Sequence, residues 1–152
     1  MSEVQLKSLA EKVGQDFGYS HWLLVDQRRI NQFADATNDH QWIHVDVERA
    51  KVESPLKSTI AHGYLTLSLI AGFATETFVF SDVKKIINYG LNRVRFISPV
   101  LSGSRVRAKF VLKSYDVKPN QSVDVSWETV MEIDGGTKPA CIAEIIFRYF
   151  TV

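Results

Sequence analysis

Residues 58–75 read STIAHGYLTLSLIAGFAT and contain no Asp, Glu, Lys or Arg. Between Tyr64 and Ala74 the apolar positions Leu65, Leu67, Leu69, Ile70, Ala71 and Phe73 run almost all the way round a helix. A helix that is apolar on every side is either wrapped inside a protein or set in a membrane. His62, Gly63, Thr66, Ser68 and Gly72 interrupt this one, and its apolar run falls well short of the ~20 residues a membrane span needs. The stretch therefore predicts a central helix buried in a globular domain. Burying each of its large side chains contributes about 1.5–3 kcal/mol.

The remainder of the chain supplies the wrapping. Upstream, apolar positions at Val4, Leu6, Leu9, Ala10 and Val13 predict a short amphipathic helix with Ser2 as its cap. Gly14 and Gly18 bracket a loop, residues 21–25 (HWLLV) read as a brief strand, and Asp26 caps a helix carrying Ile30, Phe33 and Ala34 on one face. Residues 38–46, NDHQWIHVD, show neither period and read as a loop, after which Asp46 caps a short helical turn. From Val83 onward the period changes to two. Strands are predicted over 85–97, 104–117, 122–133 and 139–152, with Val106, Ala108, Phe110 and Leu112 alternating against Arg105, Arg107, Lys109 and Lys113. Lys118-Pro119-Asn120-Gln121 and Asp134-Gly135-Gly136 are turn sequences between them.

Four long strands in an antiparallel meander, curved around one apolar helix, define an α+β hot-dog domain. The reading is one domain over residues 1–152, with 1–19 as an N-terminal helical extension. An open sheet has edges that need pairing, which predicts a homodimer joined through sheet edges.

Composition narrows the function. With 18 basic and 17 acidic residues the net charge is +1, so bulk electrostatics favour no nucleic-acid partner. Cys141 is the sole cysteine, which rules out an intrachain disulfide and argues against a thiolate metal site. The first residues mix acids with bases and lack the apolar core of a secretion signal, so the cytoplasm is the expected compartment.

Chemistry concentrates at two places. Asp39 and His44 lie five residues apart in the polar loop, where a carboxylate and an imidazole can converge on one water and move its protons. At the entry to the apolar helix, Ala61-His62-Gly63 puts a glycine N–H at a helix N-terminus, where it can receive charge developing on a carbonyl oxygen. The same glycine can instead serve close backbone packing. Ser68 either bonds back to its own helix or reaches a polar group of the site. His40 and His44 have the spacing of a zinc-protease helix, but Gln41 stands where the base would be and no third ligand is near, so no metal is expected.

Three runs carry a family resemblance: FADATNDHQWIHVD at 33–46, SPLKSTIAHGYLTLSL at 54–69 and NYGLNRVRFISPVLSG at 88–103. Together they resemble the MaoC-like dehydratase family, and within it the nodulation protein N and (R)-specific enoyl-CoA hydratase group, over nearly the whole chain. The resemblance implies that Asp39 and His44 are the catalytic pair, that the Gly63 N–H is the oxyanion donor for a thioester, and that Ser68 supports the polar network. It implies a reversible (R)-specific enoyl-CoA hydratase, a hydro-lyase that needs no cofactor and takes an acyl-CoA thioester, with acyl carrier protein as the other possible carrier. Where many members have Asn-Pro, this chain has Gln41-Trp42, which puts the loop geometry in question. His62, Tyr64, Leu65, Phe73, Phe78 and Phe80 are candidates to meet the acyl chain, and Arg93 and Arg95 to meet coenzyme A phosphates. A hot-dog thioesterase and a non-catalytic acyl-binding dimer remain as alternatives.

Overall fold

In the computed structural model, which describes residues 4–152, a 3-10 helix Leu6–Lys12 leads into strands β1 (Asp16–Tyr19) and β2 (Leu23–Val25). Helices α1 (Gln27–Thr37), α2 (Trp42–Val45), α3 (Val47–Glu53) and α4 (Gly63–Thr77) follow. The chain ends in strands β3 (Val83–Phe96), β4 (Ser104–Lys118), β5 (Ser122–Ile133) and β6 (Cys141–Thr151). All six strands form one sheet in the order β1-β4-β5-β6-β3, with β2 also on β4, and these strands pair antiparallel. The expected α+β hot-dog architecture, a curved sheet around a central helix, is what the chain adopts.

The alternation in β4 does what its period requires. Val106, Ala108, Phe110 and Leu112 are buried toward α4, while on the opposite face Arg107 pairs with Glu132 and Lys109 with Asp16. Across the sheet Val125, Trp127 and Met131 of β5 and Cys141, Ala143, Phe147 and Tyr149 of β6 complete the inner layer. Trp127 anchors it. Its ring stacks on Phe78 at 4.5 Å and 8°, and meets the edge of Phe17 at 5.2 Å.

Four expectations need correction. The meander holds for β4, β5 and β6 only, because β3 pairs with β6 at the far edge while β1 and β2 occupy the outer edge of β4. Strand β1 was hidden in the expected loop, because it is four residues long and contains Gly18 at φ +82°, beside a register shift. Residues 4–19 are not a separate extension, since Leu6 and Leu9 are fully buried in the main core; the expected cap at Ser2 lies outside the described residues, and the Leu6 N–H donates to the Asp82 carboxylate at 2.8 Å. Finally, α4 is not wrapped on every side. Leu65, Thr66, Ile70, Phe73 and Ala74 are buried, whereas Tyr64, Ser68, Gly72 and Thr75 are exposed, because β3 at the sheet edge does not close over them.

Candidate active site

The site is assembled where α1, α2 and the N-terminus of α4 meet. The Asp26 carboxylate caps α1 by accepting the Arg29 N–H at 2.9 Å, and α1 ends at Asn38 in the left-handed conformation, φ 59°. That residue swings the chain outward, leaving Asp39 exposed. Residues 38–46, expected as a loop, contain the single helical turn α2, which is too short to show a period in sequence. Its effect is to roll His44 inward, where it is 7% exposed. Asp46 then caps α3 as expected, accepting the Arg49 N–H at 3.0 Å.

The Gln41-Trp42 departure is accommodated by the same turn. Gln41 occupies the N-cap of α2 and Trp42 its first helical position, the place where a proline is tolerated because the N–H has no intrahelical acceptor. The Trp42 ring lies beneath the Arg49 guanidinium at 4.3 Å, and Arg49 in turn pairs with Glu53. The turn is thus braced from α3 without a proline.

His44 is held from two sides. Its Nδ1–H donates to the Ile60 carbonyl at 2.7 Å, while the Ile60 N–H donates to the Ile43 carbonyl at 3.0 Å. Ile60 is itself bridged to Leu101, and the Ala61 N–H donates to the Val100 carbonyl at 2.8 Å. The Gln27 side chain donates to the His44 carbonyl at 2.7 Å and accepts the Thr59 hydroxyl proton. Sequence reasoning missed Gln27 and Thr59, because partners 17 and 32 residues apart leave no local spacing signal. With Nδ1 committed to a carbonyl, the His44 lone pair is on Nε2. Burial is the main cause that pushes the His44 pKa below 6.5, with the adjacent His62 adding to it, against the raising effects of the Ile60 bond and of Asp39. The ring is therefore a neutral base at pH 7.

A carboxylate oxygen of Asp39 and one ring nitrogen each of His44 and His62 lie within 4.8 Å of one another. Two hydrogen bonds of about 2.8 Å reach across such a gap, so a single water fits between the carboxylate and the His44 ring. A metal ion fits less well. The two imidazoles stack with centroids 3.9 Å apart and planes 21° from parallel. Their lone pairs therefore lie in separate planes, and no ion meets both at the ~2.0–2.1 Å of a zinc–nitrogen bond unless a ring turns. His40 is directed elsewhere, onto Asp35 at 2.8 Å.

Gly63 is the first residue of α4, so its N–H has no acceptor within the helix. A Cβ there would sit 3.1 Å from the Phe96 ring, so the missing side chain serves close packing against Phe96. His62 is 3% exposed and stacks on His44. Leu65 and Phe73 lie in the buried core. Tyr64 is exposed and meets the edge of Phe96 at 5.9 Å. The Ser68 hydroxyl donates back to the Tyr64 carbonyl at 2.7 Å. Ser68 also lines the first of two grooves of about 310 Å³ each, which share Ala71 and Asn88 along the exposed face of α4. Phe78 lines the second groove, and Phe80 a further one of about 300 Å³ beside Leu9 and Phe17. Arg93 and Arg95 project from exposed β3, with Arg95 beside Phe96, whereas Arg105 and Arg107 are neutralised by Asp134 and Glu132.

A curved sheet around a central helix, with Asp39, His44 and His62 gathered near that helix's N-terminus, defines a hot-dog protein. The family model described as "MaoC like domain" matches residues 8–133, and the chain belongs to the MaoC-like dehydratase family. It is 48% identical over 141 residues to 3-hydroxyacyl-thioester dehydratase Z of Mycobacterium tuberculosis, covering 93% of each chain. It is 46% identical over 152 residues to nodulation protein N of Rhizobium leguminosarum bv. viciae, covering 96% of this chain and 91% of that one. The solved unliganded R-hydratase PhaJ1 of Pseudomonas aeruginosa superposes with a TM-score of 0.70 at 21% identity, over 92% of this chain and 83% of that one.

Proposed function

We propose that this protein is an (R)-specific enoyl-thioester hydratase, adding water reversibly to trans-2-enoyl-CoA to give (R)-3-hydroxyacyl-CoA. The coarser statement, a hydro-lyase of the MaoC-like dehydratase family, accords with the 3-hydroxyacyl-thioester dehydratase named among its relatives. The observation that carries the finer reading is the pairing of a neutral, buried His44 having a free Nε2 with an exposed Asp39 carboxylate across a gap that one water spans.

The water donates hydrogen bonds to the Asp39 carboxylate and to His44 Nε2. As its oxygen bonds to C3, one of its protons passes to the pair, and the C2=C3 π electrons shift toward the thioester carbonyl. The Gly63 N–H receives the charge that develops on that oxygen. The pair then returns the proton to C2 on the face from which the water came, and the reverse sequence is dehydration. The thioester already acidifies the α position, so the step needs no metal or redox cofactor.

A second copy of the chain completes this reading. Ile86, Ile87, Tyr89 and Leu91 of β3 are 36–54% exposed, and β3 has a neighbour on one side only. Pairing two β3 edges satisfies the open backbone groups and sets a second wall over the grooves along α4, where the acyl chain would lie. Among the described residues no helix is long and apolar enough to cross a membrane, and we place the enzyme in the cytoplasm.

The test is the enoyl-thioester absorbance with crotonyl-CoA, read beside free-thiol release and beside His44→Ala. Absorbance lost by the wild type alone, without thiol, is the expected result. Thiol release would make the protein a thioesterase, and no change with short or long enoyl chains would leave an acyl-binding domain.

A further inference from the structure

We propose that His62 is the positioning residue of the site: it ties the exposed Asp39 segment to the buried His44 ring and so sets the gap across which the two share water. The proposal rests on the hydratase reading for what the gap is for, while the tie itself is a matter of geometry.

Asp39 has few restraints of its own. It follows Asn38 at positive φ, and its carboxylate makes only a long 3.4 Å contact with the Gln41 N–H. Its carbonyl, however, accepts a hydrogen bond from His62 Nε2–H at 2.9 Å. The face of that same imidazole carries His44 at 3.9 Å, and the Phe33 ring of α1 packs against it at 4.9 Å and 56°. His62 precedes the first residue of α4, so it also places the Gly63 N–H relative to the pair.

The second ring nitrogen makes the argument sharper. Because a carbonyl accepts from Nε2, Nε2 holds the proton and Nδ1 offers a lone pair. That Nδ1 is buried and has no hydrogen-bond partner among the described residues. A buried polar atom without a partner destabilises the fold. A phenylalanine would stack on His44 and Phe33 equally well without that penalty. What phenylalanine cannot supply is the one polar bond the ring makes, the one to Asp39.

His62→Phe tests that bond, since it keeps the stack and removes the N–H donor together with an Nδ1 that bonds nothing among the described residues. The expected result is an unchanged or raised Tm with kcat lowered roughly ten- to a hundredfold, as for a misplaced catalytic group, and KM within about threefold. His62→Gln, which retains an N–H donor, should keep more of kcat than His62→Phe. In an Asp39→Asn background His62→Phe should lower kcat by no more than about threefold further, because a carboxylate already lost cannot be misplaced.

An arm without substrate reads the tie alone. Amide hydrogen exchange at His44 and Asp46, whose N–H groups donate to the Gln41 and Trp42 carbonyls at 3.0 Å, should rise about tenfold or more in His62→Phe while the β4–β5 amides stay unchanged, the mark of local rather than global opening. Losses that multiply independently in the double variant, or His44 and Asp46 exchange unchanged in folded His62→Phe, overturn the proposal. If His62→Phe does not fold, His62→Gln with exchange faster than about tenfold at those amides also overturns it. An inactive wild type would sink the hydratase reading, and the exchange arm would still decide whether His62 holds Asp39.

Discussion

The Nδ1–H of His44 donates to the main-chain carbonyl of Ile60 at 2.7 Å, which assigns the free lone pair to Nε2, and a ring nitrogen of His44 lies within 4.8 Å of an Asp39 carboxylate oxygen. A side chain from α2 is thereby oriented by backbone that is itself bridged to the segment following β3. The base is held by a strand-like partner rather than by its own loop.

Because burial lowers the folded His44 pKa below 6.5, the base stays unprotonated into mildly acidic solution. The acid limb of the pH profile of kcat/KM should therefore fall below pH 6.5 and activity should be lost only as pH drops through the folded value. The same sign applies to stability, since the unfolded chain binds a proton that folded His44 resists, so acidification below pH 6.5 destabilises the fold through this group. An acid limb above pH 6.5 would contradict this placement of the base. Asp39→Asn and His44→Ala should each lower kcat at least about a hundredfold with the fold intact; losses of tenfold or less in both would remove the pair from catalysis.

Gly63 and Phe96 form a second testable pair. A Cβ at residue 63 meets the Phe96 ring at 3.1 Å, and Phe96 is half-exposed, so the ring can give way. Gly63→Ala should fold with a Tm lower by a few degrees, equivalent to about 1 kcal/mol, and Gly63→Ala with Phe96→Ala should show less than the sum of the two losses. Additive melting shifts would mean that the contact is not what limits this position.

The β3 edge makes a prediction in solution. Leu91→Lys places a charge on the exposed edge strand, where like charges from two copies would oppose pairing. Sedimentation should show the wild type as a dimer and the variant shifted toward monomer. A wild-type monomer at micromolar concentration would remove the edge-pairing model.

Cys141 is fully buried, and burial pushes its thiol up to about 11. Thiolate is the reactive form, so a disulfide reagent should label the native protein negligibly over an hour and label it fully in denaturant. Rapid labelling of native protein would show that β6 opens at its start.

The sequence by itself determined the elements whose signals are local. Period-two alternation marked β4, the Asp26 and Asp46 caps marked α1 and α3, and the uncharged run at 58–75 marked the helix the sheet curves around. Asp39, His44 and Gly63 were legible as well, because the resemblance rests on short contiguous motifs. Only the tertiary structure decided which edge β3 takes, which face of α4 stays open, and that His62 stacks on His44. Gln27 and Thr59 likewise emerged only in three dimensions. The physical reason is range. Periodicity and capping act over a few residues, whereas strand order and the aim of a buried ring are set by hydrogen bonds and packing between segments far apart in the chain, and such pairings leave no spacing to read.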